Sequence, residues 1–170
     1  MTGTRWPTRT EETSDVASVR ATNLAAFETS EEADLVDALR DDDAWVPELS
    51  VVAVDPDSDE PVGYALLTRC RIDDEPALAL APCAVQPRYQ GVGVGSSVIE
   101  AALDFARNAG EQVVVVLGHP GYYPRFGFTR ASEHGVKLSI DVPDDALMVL
   151  SLDGSPIPSG TVRYAAPFGI

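Results

Sequence analysis

The sequence predicts a mixed α/β (α+β) domain in which helices flank a mostly antiparallel sheet. Three apolar segments rich in strand-forming residues follow one another, and turn sequences separate them, as in an antiparallel meander. A long amphipathic helix pattern then comes directly before the continuous apolar run VVVVLG. A strand, a helix and a second strand in this order imply a right-handed parallel crossover, so the sheet contains both kinds of pairing.

Length and composition predict one compact domain over residues 1–170. The chain has 170 residues, of which 45% are hydrophobic, which is enough to build a core. We expect a cytoplasmic protein without a membrane partner, because no apolar run reaches membrane-spanning length and the N-terminal segment lacks the apolar core of a secretory signal. Cys70 and Cys83 lie within apolar runs, and no Cys/His spacing indicates a metal site.

The charge balance is strongly acidic. Asp and Glu number 27 against 12 Lys and Arg, so the formal net charge is −15. Two interpretations are open: a surface for a cationic partner, or adaptation to a very salty cytoplasm, where dispersed carboxylates keep a protein soluble. The acidic residues are spread along the chain and Lys137 is the single lysine, which favours the halophilic interpretation. Nucleic acid is not an expected partner, because binding phosphate requires a basic face.

Capping residues predict two helices before the first strand. Ser14 and Asp15 are placed to cap the first helix, and Thr29 with Glu32 fits a capping box at the start of the second. The strands of the meander are then predicted at residues 49–55, 62–72 and 77–85. Proline cannot donate to a sheet ladder, so Pro82 predicts a bulge or a splayed edge in the third of these strands.

The second half of the chain is predicted to add one helix and three strands. The helix covers residues 94–109, with Gly110 placed to end it, and a buried strand follows at residues 113–118. Residues 136–140 and 146–152 are predicted to form a closing strand pair. The remaining tail, residues 153–170, is rich in turn residues.

A glycine-rich turn separates the third strand from the long helix. Gly91, Gly93 and Gly95 occupy alternate positions in QGVGVGSS. A turn of this kind can bind an anion, because bare backbone lets a phosphate approach several N–H groups and the helix N-terminus adds partial positive charge. Ser96 and Ser97 can add hydroxyl donors. The sequence therefore predicts a phosphate-binding turn.

Two common phosphate-binding motifs do not fit this turn. The dinucleotide fingerprint GxGxxG fails because Ser96 occupies the position of its third glycine. The nucleotide P-loop fails because no lysine is present in the stretch.

The turn does resemble the acetyl-CoA motif of the GCN5-related N-acetyltransferases (GNAT). That motif reads Gln/Arg-x-x-Gly-x-Gly/Ala, which Gln90, Gly93 and Gly95 match, with Gly91 as an additional glycine. The preceding APCAVQPRYQG resembles the fourth strand of that fold, and YYPRFGF resembles the tyrosine segment of the family ahead of Gly-Phe. The resemblance runs from Thr8 to about Leu152 and implies acetyl-CoA as cosubstrate, with no metal.

The resemblance also implies a binding mode. In this family the fourth strand splays from the fifth and pantetheine inserts between them, so the resemblance implies a GNAT fold with splayed central strands. By position, the backbone of Cys83, Ala84 and Val85 would meet the pantetheine amides. The diphosphate would lie over the loop formed by Gln90, Gly91, Val92, Gly93, Gly95 and Ser96. Val92 stands where relatives often carry Arg or Lys, so one favourable charge is missing here.

The resemblance assigns the general acid to a tyrosine. Tyr123 lies four residues before Gly127, the register of the tyrosine that protonates the leaving thiolate, with Tyr122 as the alternative. A thiol near pKa 8.5 and a phenol near 10 differ little, so full proton transfer would cost only about 2 kcal/mol. The general base stays open between Glu75, His119 and water.

The sequence thus predicts an acetyl-CoA-dependent N-acetyltransferase that transfers the acetyl group directly to an amine in a ternary complex. The absence of a well-placed Cys or Ser nucleophile agrees with direct attack. A CoA-binding regulatory or partner module with little catalysis is the alternative. The acceptor is expected to be a small-molecule or peptide amine, and a homodimer is compatible with the exposed strands of this fold.

Overall fold

The computed structural model describes residues 6–170, which form three α-helices and nine β-strands. Residues 1–5 lie outside the described residues. They include the start of the predicted domain and of the N-terminal segment in which a secretory signal was sought. The helices are α1 (Val16–Ala26), α2 (Glu31–Arg40) and α3 (Val94–Asn108). The strands are β1 (Thr8–Thr10), β2 (Trp45–Val54), β3 (Pro61–Ile72), β4 (Glu75–Val85), β5 (Val113–Leu117), β6 (Thr129–Arg130), β7 (Val136–Lys137), β8 (Leu147–Ser151) and β9 (Gly160–Arg163).

The sheet is mixed and mostly antiparallel, which confirms the predicted fold class. Its order is β1-β2-β3-β4-β5-β8-β6, and β9 pairs with both β3 and β7. The β4–β5 pair is parallel, as the crossover through α3 requires, and β7–β9 is the other parallel pair described. Helix α3 packs on one face against β2 and β3, and α1 packs on β3 and β4 with α2 beside it.

Strand β4 bulges and then separates from β5. Ala65 pairs with Cys83 and Leu67 with Leu80, so the two residues Ala81 and Pro82 lie opposite Leu66 alone. This confirms the bulge predicted from proline. On its other side β4 pairs with β5 only where Leu78 meets Val114 and Ala79 meets Val115. Within residues 6–170, the C-terminal part of β4 therefore has no partner strand on that side.

The predicted closing strand pair is wrong. Residues 147–151 pair with β5, because Val149 completes an apolar cluster with Val113 and Val115. Of residues 136–140 only Val136 and Lys137 form a strand, and their partner is β9. The tail is therefore not only turns: β9 lies within it and pairs with the end of β3.

Helix α3 follows the prediction closely, whereas the caps of α1 and α2 differ. Gly110, with φ of +84°, follows the end of α3. The Asp15 carboxylate does not cap α1; it pairs with Arg9 and accepts from the Glu12 amide at 2.8 Å. At α2 the N-cap position falls on Ser30, without a side-chain cap bond. Within residues 6–170 no helix has the length and apolar character needed to cross a membrane.

The start of α3 is seated on a glycine of β3. Val94, the first residue of α3, is buried, and its side chain occupies the space that a Cβ at Gly63 would need. Gly63 does not have positive φ, so its role is to allow close approach rather than an unusual backbone. This contact fixes the distance between the start of α3 and the sheet. It thereby also positions the glycine turn that precedes α3.

The Gly63→Ala substitution is expected to lower the free energy of unfolding by about 1–3 kcal/mol, because the new methyl group overpacks the contact with Val94. Urea unfolding measures this change. In the double variant Gly63→Ala/Val94→Ala the smaller helix residue makes room, so its loss should be clearly less than the sum of the two single losses. Additive losses would contradict the proposed contact.

Candidate active site

The split between β4 and β5 opens a cleft of about 250 Å³. One wall is formed by α3 and the other by the end of α1, with the free part of β4 between them. The cleft is lined by Ala26, Phe27, Tyr64, Cys83, Ala84, Val85, Gln90, Gly95, Val98, Ile99, Tyr122 and Tyr123. It therefore brings together much of the site that the sequence predicted.

The register of β4 decides which of its backbone groups face the cleft. The Gln86 amide donates to the Val62 carbonyl at 2.9 Å, and Ala84 pairs with Tyr64 in the same ladder. Because bonding alternates along an antiparallel pair, the N–H and C=O of Ala84 point toward β3. Those of Cys83 and Val85 point away from β3 into the split. Ala84 thus lines the cleft without offering it a backbone group, unlike its two neighbours.

One of these cleft-facing groups already has a partner. The Gln90 side chain donates from Nε2 to the Val85 carbonyl at 3.1 Å. In the described part of the chain, the N–H of Val85 and both backbone groups of Cys83 have no partner strand on this side. Gln90 thereby ties the glycine turn to the end of β4, a side-chain role that its place in the motif did not indicate.

The glycine turn presents a row of amides. Gly91 and Gly93 have φ of +79° and +93°, and Gly93 is the N-cap residue of α3. Within residues 6–170 the amides of residues 91–96 donate to no acceptor at standard hydrogen-bond geometry, and the Ser97 amide is the first to bond, to the Gly93 carbonyl. Free amides at a helix N-terminus, together with the helix dipole, form an anion-binding site.

Gly95 differs from the other two glycines of the turn. It lies in the first turn of α3 with ordinary φ, and a Cβ there would come within 3.2 Å of the Tyr122 hydroxyl and 3.5 Å of the Val85 side chain. The absence of a side chain therefore keeps the cleft open between α3 and Tyr122. The Tyr122 hydroxyl lies 3.2 Å from Ser96 Oγ. The Ser96 hydroxyl, which the sequence predicts as a donor to the phosphate, is therefore within hydrogen-bond distance of a tyrosine.

Trp6 covers the outside of the turn, which the sequence analysis missed. Its indole Nε1 donates to the Val92 carbonyl at 2.9 Å, and its amide donates to Ser97 Oγ at 3.2 Å. Ser97 is therefore occupied and buried, while the Val92 side chain is exposed. No local signal indicates this contact, because Trp6 is separated from the turn by 86 residues.

Tyr123 lies at the mouth of the split. It begins a short 3₁₀ turn after β5, and its ring packs edge-on to Tyr122 and Phe128. Its hydroxyl and the Cys83 thiol are close enough for each to influence the pKa of the other. Burial, and then the adjacent Cys83 thiol, raise the pKa of Tyr123 well above the usual value, so the phenol stays neutral and keeps its proton.

Cys83 is not poised to act as a nucleophile. Burial raises the pKa of its thiol to about 12, so the thiol stays protonated near neutral pH. Burial is the larger influence on this pKa, and the nearby Tyr123 hydroxyl, which could donate to a thiolate, acts in the opposite direction. This agrees with a site that uses no covalent enzyme intermediate.

Neither side chain considered as a base lies among the groups that line the cleft. Glu75 is the first residue of β4 and pairs with Ile72, eight residues before Cys83, a distance of about 26 Å along an extended strand. His119 is exposed, and its Nδ1 accepts from the Gly121 amide at 3.1 Å within its own turn. The structure therefore places neither of these side chains in the described lining of the cleft.

The cleft is uncharged although the protein is strongly acidic. The described residues that line it include no Asp, Glu, Lys or Arg. The nearby Arg125 stacks on the Tyr122 ring at 4.3 Å, and Arg88 stacks on Tyr89 at 4.9 Å. Within residues 6–170 no cluster of His, Cys, Asp and Glu side chains has the arrangement to hold a metal ion.

Comparison with solved structures shows the same architecture in proteins that bind CoA. The structure matches the N-acetyltransferase YhbS of Escherichia coli in complex with CoA with a TM-score of 0.87 and 28% identity, over 100% of this chain and 95% of that chain. A GNAT family acetyltransferase of Brucella melitensis in complex with acetyl-CoA matches with a TM-score of 0.79 and 29% identity, over 96% of this chain and 98% of that chain.

Comparison of sequences gives the same result. The chain is 38% identical over 163 residues to YjhQ of Escherichia coli K12, described as an uncharacterized N-acetyltransferase, and the match covers 91% of this chain and 89% of that protein. Residues 17–128 match the model of the acetyltransferase (GNAT) family. With its split sheet, its glycine turn and these relatives, the chain belongs to the GNAT family of acetyltransferases.

Proposed function

We propose that this protein transfers the acetyl group of acetyl-CoA to an amine. The observation that carries the proposal is the row of free amides at residues 91–96 beside the unpaired edge of β4. Backbone amides left without partners cost free energy unless water or a ligand bonds them, and a diphosphate bonds several at once. The complexes of YhbS with CoA and of the Brucella enzyme with acetyl-CoA support the same cosubstrate here.

The cosubstrate would lie along β4 with its phosphates on the glycine turn. The proposal gives the diphosphate to the amides from Gly91 to Ser96, with Gln90 anchoring the turn to β4. The pantetheine amides would bond the backbone of Cys83 and Val85 in the manner of an added strand. Since Ala84 directs its backbone to β3, we propose two anchoring residues on β4 where the resemblance implied three.

We propose that the acceptor amine attacks the thioester directly, within a ternary complex. The protonated Cys83 thiol argues against an acetyl-cysteine intermediate. Tyr123 would donate a hydrogen bond to the thioester sulfur that strengthens as negative charge develops there. Because burial raises the pKa of Tyr123, full proton transfer becomes more costly than in water, so a strengthening hydrogen bond is the favoured form of catalysis.

The uncharged cleft places a condition on the acceptor. Freeing an amine of pKa near 10.4 at neutral pH costs about 4–5 kcal/mol, whereas an α-amine near 8 costs only about 1 kcal/mol. With no carboxylate or imidazole among the described lining residues, water must receive the proton. We therefore propose a small-molecule or peptide amine of lowered pKa, such as a peptide N-terminus, as the acceptor.

We propose further that the acidity of the surface is an adaptation to a salty cytoplasm and not part of substrate recognition. The formal charge of −15 lies outside the described lining of the cleft, which carries no acid. A cationic acceptor would instead require carboxylates near the reacting nitrogen. The acetyl-CoA polyanion can then be bound by local amide donors while salt screens the remaining charge.

Replacing Tyr123 by Phe is expected to lower kcat about 100-fold with little change in the Kd for CoA, because the hydroxyl acts on the developing thiolate and not on the bound ground state. A thiol-release assay over a panel of amines, in molar KCl, measures the rate, and calorimetry measures CoA binding. Tyr122→Phe is the matched control and should retain more activity. Full activity of Tyr123→Phe would contradict the assignment, and CoA binding without turnover in the wild type would favour a binding module.

Gly93→Ala is expected to weaken acetyl-CoA binding about tenfold or more, because a side chain at φ of +93° forces the turn to rearrange. Gly110→Ala is the matched control: it imposes similar backbone strain at φ of +84°, at the opposite end of α3. Both variants should lose about 1–2 kcal/mol of stability, and only Gly93→Ala should raise the KM for acetyl-CoA. Equal effects of the two variants on KM would contradict the binding role of the turn.

Raising KCl from about 0.1 M to about 1 M is expected to raise the Tm and to lower the KM for acetyl-CoA. Over this range the Debye length falls from about 10 Å to about 3 Å, which screens both the self-repulsion of the protein and its repulsion of the cosubstrate. Thermal melts and initial rates measure the two effects, with sucrose as an uncharged control. A Tm that falls with KCl would count against salt adaptation.

A further inference from the structure

Gly118 has no conformational reason to be glycine. It directly follows β5, its φ is not positive, and its amide donates to the Ala146 carbonyl of the turn before β8 at 2.9 Å. A Cβ at this position would overlap the ring of Tyr123. Its bare Cα is therefore the surface on which the Tyr123 ring rests, at the end of β5.

The hydroxyl end of Tyr123 is near the opposite side of the split. It is close enough to the thiol of Cys83, which lies on β4 just beyond the bulge at Pro82, for each group to influence the pKa of the other. Tyr123 and Cys83 both line the cleft, and both pack on the core cluster beneath α3. The tyrosine side chain thus extends from the end of β5 to the unpaired part of β4, across the gap where the sheet is split.

We propose that Gly118 and Cys83 are positioning residues that hold the Tyr123 side chain across this split, Gly118 by admitting its ring and Cys83 by orienting its hydroxyl. The proposal rests on the proposed function, in which Tyr123 donates to the sulfur of the thioester. It adds two residues that act on the reaction only through Tyr123: Cys83 by its thiol, and Gly118 by having no side chain.

Cys83 would then serve two purposes at once. Its backbone faces the split, where it can bond pantetheine, while its thiol is near the hydroxyl that we propose acts on the thioester. Anchoring the cosubstrate at Cys83 therefore brings the sulfur of the thioester close to the donor. A thiol is also a weak hydrogen-bond acceptor, so the hydroxyl can leave it for the sulfur of the cosubstrate at little cost.

The first test is Gly118→Ala. Because the φ of Gly118 is ordinary, alanine adds no backbone strain, and the methyl group acts by displacing the Tyr123 ring. We expect kcat to fall about 10- to 100-fold while the KM for acetyl-CoA changes less than about twofold. Gly121→Ala is the matched control in the same loop: its φ is also ordinary, and its Cβ would meet only the ring of His119, at 3.2 Å.

The second test replaces Cys83 by Ser, Ala and Val. If the thiol orients Tyr123, Ser restores a hydrogen-bond partner and retains a higher kcat than Ala and Val, which lower kcat about tenfold. If Cys83 only fills space, the order reverses, because Ala or Val is tolerated and a buried serine hydroxyl is not. In the Tyr123→Phe background, Cys83→Ala should lower kcat no further, since the hydroxyl that it orients is gone.

The two possible failures are distinguishable. Loss of activity in Tyr123→Phe together with full activity in both Gly118→Ala and Cys83→Ala would overturn this inference and leave the proposed function standing. Full activity in Tyr123→Phe would overturn both. Each variant is checked for CoA binding by calorimetry, so that loss of fold is not mistaken for loss of position. If Gly118→Ala does not fold, the Cys83 series and its Tyr123→Phe background decide the question alone.

Discussion

The separation of β4 from β5 is the constraint on which the rest of the structure depends. The two strands share only two residue pairs before they diverge, and the bulge at Ala81 and Pro82 turns β4 away. Inside a sheet, unpaired backbone groups are costly, so a split of this kind persists only where something else can bond its edges. In this protein the edges are the backbone groups of Cys83 and Val85, and the cleft, the glycine turn and Tyr123 are all arranged around them.

In the proposed binding mode, recognition of the polyanionic cosubstrate relies on backbone and not on charged side chains. The two arginines nearest the motifs, Arg88 and Arg125, stack on tyrosine rings, and Val92 in the turn carries no charge. Amide donors at the start of α3 are short-ranged and fixed in place, so they work equally well when salt screens long-range fields. A site of this kind is compatible with a surface that carries a large excess of acid.

The proposed chemistry and the proposed binding site meet on the same short length of chain. Between Cys83 and Gln90 the protein proceeds from the unpaired strand edge to the start of the glycine turn, and Gln90 closes this segment by bonding the Val85 carbonyl. Tyr123 reaches the cleft from the other side of the split. A donor positioned by neighbouring uncharged groups, as we propose for Tyr123, suits a cleft whose described lining is uncharged.

Local features of the site could be predicted from the sequence alone. Pro82 indicated the bulge because proline cannot donate, and the alternating glycines indicated a tight turn of bare backbone before α3, which the structure forms with positive φ at Gly91 and Gly93. These features depend on single residues and their immediate neighbours.

Pairing between distant segments was decided only by the tertiary structure. Residues 136–140 alternate like a strand, yet β7 found its partner in the tail, since burial against β9 and not periodicity selects the partner. Likewise, the backbone of Cys83 and not that of Ala84 faces the split, because hydrogen bonds to the distant strand β3 set which backbone groups of β4 remain free.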